Sequence, residues 1–408
     1  MNILWLSQIL PYPPKGGVLQ RSYNLIKEVA KKHKVYLIAI NQKEILSSIG
    51  QIENAVKELK KFCSDIEVIN LPVNKFFIAL KSLFSKRPYT ANWLNFPEVR
   101  HAIRKFIKKY KFDLIHFDSI DLGEYINEVK TLPKVLNHHN IESQMMFRRF
   151  IKEKNILKKI YFFQEAIKLK NYEKKICLKF DYNLTVSELD KKRLFKICPN
   201  IKIEVIPNGV DIEYFKSKNN DFEPRTLIFA GGMNWYPNRD AMLFFCKKIW
   251  PVLRKRWPDV KATIIGCDPP KYILKLAQQD PNLTVTGFVD DVRPYLEKAH
   301  IYICPIRDGG GTKLKILDAL AMGKPIVAHP VAIEGIKVEP EKHVFLAKAP
   351  SEFVQQIERL FNDTNLCQLL SKQGREIIIK KYDFKKIGKK LANLYDKIGE
   401  KYESAKNL

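Results

Sequence analysis

One glycine-rich stretch decides the fold: DGGGTKLKILDALAMGKP, residues 308–325. The segments on either side, 301–306 (IYICPI) and 325–328 (PIVA), are short and apolar, as buried strands are. The stretch therefore predicts a glycine loop that opens a helix between two parallel strands. Unpaired backbone N–H groups and the positive end of a helix favour a phosphate at such a point. A plain turn is the simpler interpretation, but three consecutive glycines before Thr312 and Lys313 are more than a turn needs.

A carboxylate follows the glycine loop at helical spacing. Asp318 lies about two turns further on, where it can reach the hydroxyl groups of a sugar joined to those phosphates. We therefore interpret the stretch as a site for a nucleoside diphosphate.

Length and composition limit the class of protein. At 408 residues the chain is longer than one hydrophobic core usually serves, so we expect two domains. No apolar run approaches the roughly 18 residues of a membrane span. The N-terminus, MNILWLS, has the pattern of a first strand and lacks the basic leader and cleavage site of a signal peptide. The seven cysteines are scattered without a C-x-x-C pair, which is typical of reduced core thiols in a cytosolic protein.

The charge is strongly basic, with 71 lysines and arginines against 44 acidic residues and a net charge of +27. Nucleic acid, an anionic membrane surface and phosphorylated substrates are the three classes of partner that suit it. The densest stretch, 148–179, holds eleven basic and three acidic residues with aromatic residues between them. A helix of this kind can lie on an anionic membrane. A solvated helix face is the equally open alternative, because lysines are spread through the whole chain.

Strand-like and helix-like segments alternate along the chain, which predicts an α/β architecture of parallel sheets with helices on both faces. A polar stretch, 216–221, has the composition of a linker, and a second series of strands and helices follows it. We therefore expect two Rossmann-like doubly wound domains, residues 1–212 and 222–382. Residues 383–408 contain one apolar helical stripe, so we expect a helix that packs back on the first domain.

Three more glycine-containing loops follow predicted strands, at the sheet edge where ligands bind. PYPPKGG at 11–17 lacks the G-x-G-x-x-G pattern of a dinucleotide site, and a rigid connection explains it equally well. GGMNWYPN at 231–238 and GFVDD at 287–291 contain glycines that let a ligand approach the backbone. Each signal is weak alone, but together they predict one cleft between the two domains.

Two adjacent histidines, in NHHN at 137–140, end a predicted strand of the first domain. A histidine there can donate a hydrogen bond to a ligand or move a proton near neutral pH, although most lone histidines only pack or face solvent. Neighbouring side chains on a strand face opposite ways, so only one of the pair can point into a given cleft. His116, which ends the preceding strand, is a weaker candidate. No further residues with metal-ligand spacing accompany them, so we expect no metal site.

Taken together, these features resemble the glycosyl transferases group 1 type, which are retaining, nucleotide-sugar-dependent enzymes with the GT-B fold of two Rossmann-like domains facing a central cleft. The resemblance covers nearly the whole chain. It rests on PPKGG at 13–17, VIPNGVD at 205–211 and the run from 309 to 325. NHHNIES at 137–143 and GMNWYPN at 232–238 are similar to a branch of the family that assembles bacterial surface polysaccharides.

The resemblance implies a role for each matching residue. His139 would contact the donor sugar and the reacting centre, and it is the catalytic candidate. Val289 and Asp291 would hold the nucleobase, and Asp318 would bind the ribose hydroxyls in place of a longer glutamate. The full set of implied donor-binding residues is Gly16, Gly17, Gly232, Asn238, Val289, Asp291, Gly310, Gly311, Thr312, Lys313, Lys315 and Asp318.

The chain departs from the family pattern at two positions. The first glutamate of the family's Glu-x7-Glu motif falls on Gly310, so backbone N–H groups of the loop would make more of the donor contact. The Arg and Lys phosphate clamp after the first strand of the second domain is missing, with Asn238 near the lysine position. Lys313, Lys315 or Arg239 would replace the clamp, and Lys313 is the first choice.

The sequence thus predicts a cytosolic, metal-independent glycosyltransferase of the hexosyltransferase type. It would need no cofactor beyond its co-substrate, a nucleotide-diphospho sugar linked to UDP or GDP. The acceptor would be a glycan or lipid-linked molecule at the inner membrane face, where the basic surface would hold the protein peripherally. A non-hydrolysing nucleotide-sugar epimerase is one alternative, and Gly310 disfavours it because that chemistry needs several carboxylates. A catalytically inactive protein that binds sugar or nucleic acid is the other, and nucleic acid is the least expected partner.

Overall fold

The computed structural model describes residues 1–42, 46–71, 78, 82–129, 131–218 and 222–406. The chain divides into two compact units, the first formed by Met1–Asn208 with the C-terminal helix and the second by Gly209–Asp383. Residues 219–221 of the stretch interpreted as a linker lie outside the described residues.

The first unit contains one parallel sheet, which has seven strands among the described residues in the order β3-β2-β1-β4-β5-β6-β7. Its strands are β1 Asn2–Ser7, β2 Lys34–Gln42, β3 Cys63–Leu71, β4 Leu114–Phe117, β5 Lys134–His138, β6 Tyr182–Thr185 and β7 Ile203–Val205. Its helices up to the domain boundary are α1 Gly17–Val29, α2 Ile49–Leu59, α3 Tyr89–Trp93, α4 Pro97–Lys109, α5 Glu142–Lys152, α6 Ile156–Cys177 and α7 Glu188–Ile197, with a 3-10 helix at Ile120–Glu128.

The second unit has a parallel sheet of six strands among the described residues, in the order β10-β9-β8-β11-β12-β13. Its strands are β8 Thr226–Ala230, β9 Lys261–Ile265, β10 Leu283–Gly287, β11 Ile301–Cys304, β12 Ile326–Ala328 and β13 Phe345–Leu346. Its helices are α8 Tyr236–Phe244, α9 Trp250–Arg256, α10 Lys271–Gln279, α11 Arg293–Lys298, α12 Leu314–Ala321, α13 Pro350–Asn362 and α14 Thr364–Lys381. A short π-helix at Phe245–Ile249 joins α8 to α9.

The central strands are apolar because helices cover both faces of each sheet. In β1 every residue from Ile3 to Ser7 is buried, and all of β11 and β12 is buried as well. Within the described residues, no helix combines the length and the apolar character needed to cross a bilayer.

The last helix, α15 (Phe384–Lys406), belongs to the first unit, and its bounds lie within the residues 383–408 that the sequence pattern indicated. Its Tyr395 hydroxyl makes a 2.8 Å hydrogen bond with Nδ1 of His116, and its Lys390 amino group donates to the Val205 carbonyl oxygen at 2.7 Å. The boundary between the units lies at Asn208, so residues 209–212, which the sequence analysis placed in the first domain, belong to the second unit. The Val210 N–H donates to the Tyr382 carbonyl oxygen at 2.8 Å there.

Both sheets have the strand order of a doubly wound fold, in which successive strands are added first on one side and then on the other. The change of direction lies between β1 and β4 in the first unit and between β8 and β11 in the second. Loops that follow these strands diverge at the carboxyl edge of the sheet, and the crevice they leave is where such folds bind ligands.

Candidate functional site

In the second unit, two glycines follow β8 directly at this change of direction. A side-chain carbon on Gly231 would lie 2.2 Å from the Lys315 amino group and 2.8 Å from the Asn238 amide nitrogen, so both side chains would have to move. Gly266, which has a φ of +152°, packs against the Gly231 carbonyl group. A side-chain carbon there would lie 2.2 Å from that backbone oxygen, so no larger residue fits at position 266. The backbone after β8 is therefore held close to the amino group of Lys315 and the amide group of Asn238.

Lys315 and Asn238 form one hydrogen-bonded unit beneath these glycines. The Lys315 amino group donates to the Asn238 side-chain oxygen at 2.6 Å, and the Asn238 amide nitrogen donates to the Gly232 carbonyl oxygen at 2.7 Å. The same amino group lies 4.5 Å from the centre of the Phe229 ring. Burial lowers the pKa of Lys315 to about 8, so the amino group is mainly cationic at neutral pH and loses its proton at a lower pH than an exposed lysine does.

The glycine loop follows β11, the strand that neighbours β8. Gly309 and Gly311 have φ values of +106° and +59°, which explains two of the three glycines, since other residues rarely adopt this region. The helix α12 begins at Leu314 without a side-chain cap on its first backbone N–H groups. The side chain of Lys313 is buried and donates to the carbonyl oxygens of Gly310 and Gly311, both at 3.0 Å.

The two candidate lysines therefore have different surroundings. Lys313, the first choice from the sequence, braces the loop through its carbonyl groups, whereas Lys315 lies between the loop helix and the turn after β8. Thr312 and Asp318 are half-buried on the same loop and helix.

Val289 and Asp291 follow β10, two strands away from β8 at the edge of the sheet. Strands in a sheet are about 4.8 Å apart, so these residues lie roughly 10 Å from the glycine turn along the same edge. Val289 is half-buried, and Asp291 is paired with Arg293, whose guanidinium nitrogens lie 2.7 and 2.9 Å from its oxygens. The second unit thus places the implied phosphate and nucleobase residues along one edge.

In the first unit, Gly16 and Gly17 lie at the start of α1, after β1. Both are exposed, and Gly16 has a φ of +99° with no atom within 4 Å of where a side chain would begin. The backbone here is open to solvent at the N-terminus of a helix, a position that favours an anion.

His139 follows β5 and faces a buried carboxylate. Its Nε2 lies 3.6 Å from an Asp118 oxygen, and its side chain is about 10 % exposed. His138 faces the opposite way, with Nε2 3.1 Å from the Asn183 side-chain oxygen, as strand alternation predicts. Burial lowers the pKa of His139 to about 4, so the ring is neutral at neutral pH.

Asp118, directly after β4, is the centre of this polar cluster. It accepts hydrogen bonds from the Ser22 hydroxyl at 2.5 Å and the Asn137 amide at 3.1 Å, and His116 Nε2 lies 3.5 Å away. Burial opposes ionisation, but contact with the two histidine rings and the Ser22 hydroxyl holds the pKa of Asp118 below its ordinary value. His116 itself is fully buried and stacks on Trp5, so it contacts Asp118 from the interior of the unit.

Arg21 on α1 fixes the same region from the other side. Its buried guanidinium donates to the Asn137 and Asn208 side-chain oxygens at 3.1 and 3.0 Å and to the backbone oxygens of Ile206 and Pro207, both at 2.8 Å. Burial lowers the pKa of Arg21 to about 10, which leaves it charged at neutral pH. The hydrogen bonds of this buried charge therefore connect α1 to β5 and to residues 206–208.

Sequence reasoning missed both Asp118 and Arg21. Asp118 had a readable signal, because it is a carboxylate directly after a predicted strand, the same position that singled out His139. Arg21 had none, because an arginine on an amphipathic helix ordinarily faces solvent and its partners are distant in sequence. Among the described residues, no three His, Cys, Asp or Glu side chains are grouped as metal ligands.

Two protein families match consecutive parts of the chain. Residues 15–214 match the Glycosyltransferase Family 4 description, and residues 224–363 match Glycosyl transferases group 1. The chain belongs to the group 1 glycosyltransferases. The two matched segments contain the His139 cluster and the glycine turn with its lysine, respectively.

Relatives in bacteria align with most of this glycosyltransferase. A Klebsiella pneumoniae protein of the cps region is 25% identical over 406 residues, covering 95% of this chain and 97% of the relative. An Escherichia coli UDP-Gal:alpha-D-GlcNAc-diphosphoundecaprenol alpha-1,3-galactosyltransferase is 24% identical over 315 residues, covering 72% of this chain and 78% of the relative.

Solved structures share the fold of the glycosyltransferase from end to end. Sucrose-phosphate synthase from Thermosynechococcus elongatus superposes with a TM-score of 0.74 at 15% identity, covering 98% of this chain and 99% of the other. Anabaena HepE in complex with UDP-glucose gives a TM-score of 0.66 at 16% identity, covering 97% and 100%. The two parallel-sheet α/β domains are therefore those of a GT-B glycosyltransferase.

Proposed function

We propose that this enzyme transfers a hexose, with retention of configuration, from a UDP-linked sugar to a lipid-linked glycan in surface-polysaccharide synthesis. The observation that supports the donor most is the position of Lys315, a cationic amino group held under a bare glycine turn at the change of strand direction. The E. coli relative is named for a UDP-sugar donor and a diphosphoundecaprenol acceptor, and the Klebsiella relative lies in a cps region.

The leaving group sets the chemistry that the site must supply. When the bond between the sugar carbon and the donor diphosphate breaks, the electron pair stays on the diphosphate, which gains negative charge. Backbone N–H groups at Gly311 to Lys313 and the Lys315 ammonium would stabilise that charge without a metal ion. The acceptor hydroxyl forms the new bond on the same face of the sugar, and its proton passes to the departing diphosphate.

Gly310 in place of the family glutamate changes how the donor sugar is held. A glycine offers no carboxylate for the sugar hydroxyls, so the backbone of the loop and the Asp318 carboxylate would make the polar contacts there. This replacement disfavours the epimerase alternative, which needs several carboxylates beside the sugar. An inactive binding protein is disfavoured by the intact cluster around His139.

His139 would act as a neutral hydrogen-bonding group in this reaction. With its pKa lowered to about 4, the ring does not titrate near neutral pH and is not a cationic acid catalyst. The Asp118 carboxylate 3.6 Å from Nε2 would hold the ring in one orientation. We propose that the ring contacts the donor sugar and that rate loss on its removal reflects positioning and polar stabilisation of the transition state.

An acceptor on a lipid carrier requires the enzyme to work at a membrane surface, and we propose the cytoplasmic face. Nucleotide sugar, lipid-linked acceptor and membrane would then be the three partners. The net charge of +27 supports attraction to anionic lipid.

The test is a transfer reaction with a synthetic lipid-diphosphate-linked sugar and a panel of UDP-, GDP- and ADP-sugars. We expect one UDP-sugar to be consumed, with product whose anomeric configuration by NMR equals that of the donor. Inversion of configuration, or turnover only with a GDP- or ADP-sugar, would contradict the corresponding part of the proposal. Interconversion of the UDP-sugar without an acceptor would favour the epimerase.

A further inference from the structure

An exposed apolar surface occupies the hairpin of α5 and α6 in the first unit. Among the described residues, 21 large apolar side chains are exposed, and six of them lie within the seventeen residues 147–163. These six are Phe147, Ile151, Ile156, Leu157, Ile160 and Phe163. Scattered exposed apolar residues need no explanation, but such a concentration in one hairpin does.

The exposed residues of α6 follow helical spacing and so share one face. Ile156, Ile160, Phe163 and Ile167 are separated by four, three and four positions, and they are 67%, 58%, 43% and 47% exposed. An apolar stripe of this kind ordinarily faces a core. Further along α6, Ala166, Leu169 and Tyr172 make the buried contacts, so the exposed stripe is a second apolar face.

Aromatic residues of α5 and the segment 83–84 continue the same surface. Phe150 on α5 lies 5.0 Å from Phe163 and 5.7 Å from Phe147, measured between ring centres, so the aromatic residues of the two helices are continuous. The Leu83 carbonyl oxygen accepts a hydrogen bond from Gln164 at 3.0 Å. Beside Leu83 lies Phe84, which is 89% exposed, the most exposed of the large apolar side chains described. We call this surface, formed by residues 83–84 and 147–167, the hairpin surface.

The charges around the hairpin surface indicate its occupant. Residues 147–167 contain six basic side chains and two acidic ones, Glu153 and Glu165, of which Glu165 is buried. Glu153 is turned to its own backbone, accepting from the N–H groups of Lys154 and Asn155 at 2.9 and 3.0 Å. A second copy of the chain would bring a surface of like charge against this one, which is unfavourable. An anionic bilayer matches both the positive charge and the apolar side chains of this surface. Its phosphates pair with lysine and arginine, and its acyl region takes the apolar side chains.

We propose that the hairpin surface docks the enzyme on an anionic membrane by inserting Ile156, Leu157 and Ile160 below the headgroups, with the surrounding lysines and arginines on the phosphates. This names the surface through which the proposed function meets its lipid-linked acceptor. Insertion distinguishes it from a basic patch that only adsorbs, since adsorption by charge alone disappears at high salt.

The test measures binding of the full chain to vesicles in the absence of any sugar donor, so that its outcome is independent of catalysis. Vesicles of phosphatidylcholine with phosphatidylglycerol are compared with vesicles of phosphatidylcholine alone. We expect binding to the anionic vesicles, and a loss of about tenfold or more in the variant Ile156→Ser, Leu157→Ser, Ile160→Ser. The matched control, Ile49→Ser, Phe195→Ser, Leu369→Ser, removes three exposed apolar side chains elsewhere and should bind as the wild type does.

Insertion has its own readout in the variant Leu157→Trp. Its fluorescence should be quenched by lipids brominated on the acyl chains, beyond the quenching of the native tryptophans. Circular dichroism and thermal unfolding establish that each variant is folded. The proposal is overturned if the wild type prefers neither vesicle or if the serine variant binds normally. It is also overturned if the control loses as much binding, if the new tryptophan is not quenched, or if the serine variant instead abolishes self-association of the wild type.

Discussion

Lys315 offers the sharpest test of the donor site, through the variant Lys315→Met. Methionine keeps an unbranched side chain as far as Cε and removes the charged amino group. A hydrogen bond to a charged group contributes about 1.5–3 kcal/mol, so donor affinity should fall roughly 10- to 150-fold. Calorimetry with a UDP-sugar measures this loss directly.

The same substitution should stabilise the free enzyme. Burial lowers the Lys315 pKa from 10.5 to about 8, which corresponds to an unfavourable contribution of about 3 kcal/mol at neutral pH. Because the folded pKa is below the unfolded one, this penalty is fully present below pH 8 and fades as the pH rises toward 10.5. Loss of a partner for the Asn238 oxygen costs about 1–2 kcal/mol in the other direction. The free energy of unfolding at pH 7 should therefore rise by about 1–2 kcal/mol, as measured by urea denaturation.

Proton uptake gives the decisive assay. At pH 8 about half of the Lys315 side chains are neutral in the free enzyme. A bound diphosphate favours the charged form, so donor binding should take up about half a proton, measured by calorimetry in buffers of different ionisation enthalpy. In Lys315→Met the uptake should vanish.

Lys324 provides a matched control for this reasoning. Its pKa is also lowered to about 8 by burial, and its amino group donates to the carbonyl oxygens of Glu297 and Ala299 at 2.6 and 3.0 Å. It precedes β12, at the opposite edge of the sheet from the glycine turn. The variant Lys324→Met should leave proton uptake unchanged. The reasoning is refuted if the wild type takes up no proton at pH 8, or if removing Lys324 abolishes the uptake equally.

Three further substitutions separate catalysis, donor binding and folding. His139→Ala should lower the rate of transfer by about a hundredfold with a small effect on thermal unfolding, whereas His138→Ala should mainly destabilise the first unit; equal effects of both on transfer would remove His139 from the site. Asp318→Ala should weaken UDP-sugar binding by about tenfold in calorimetry, since a charge-assisted hydrogen bond to ribose is lost, and unchanged affinity would exclude that role. Arg21→Leu should lower the free energy of unfolding by about 3–5 kcal/mol, because four oxygens lose their buried charged donor. Wild-type stability of this variant in urea denaturation would show that the four hydrogen bonds are dispensable.

The sequence predicted the fold because its central strands are apolar runs that end in glycine or polar loops. The glycine run at 309–311 was readable for a physical reason, since two of its three residues need a φ that other residues rarely adopt. β7, at Ile203–Val205, was not predicted, because three residues are too few to show a period.

The sequence could not show that Lys313 and Lys315 make different contacts. Spacing alone does not show where a helix begins, and here α12 begins at Leu314. Lys313 therefore occupies the position just before the helix and turns its amino group back to the loop carbonyl oxygens, while Lys315 is inside the helix and reaches Asn238. Residues two positions apart on a helix face different directions, so the residue at which the helix begins decides which lysine reaches Asn238.

The central claim is that the turn after β8 and the loop before α12 bind the diphosphate of the donor. A crystal soaked with UDP tests it most directly. We predict both phosphates within hydrogen-bond distance of the backbone N–H groups of 311–313, with the Lys315 amino group on one of them. UDP bound along a different edge of the second unit, or a crevice between β8 and β11 left empty at saturating UDP, would contradict the claim.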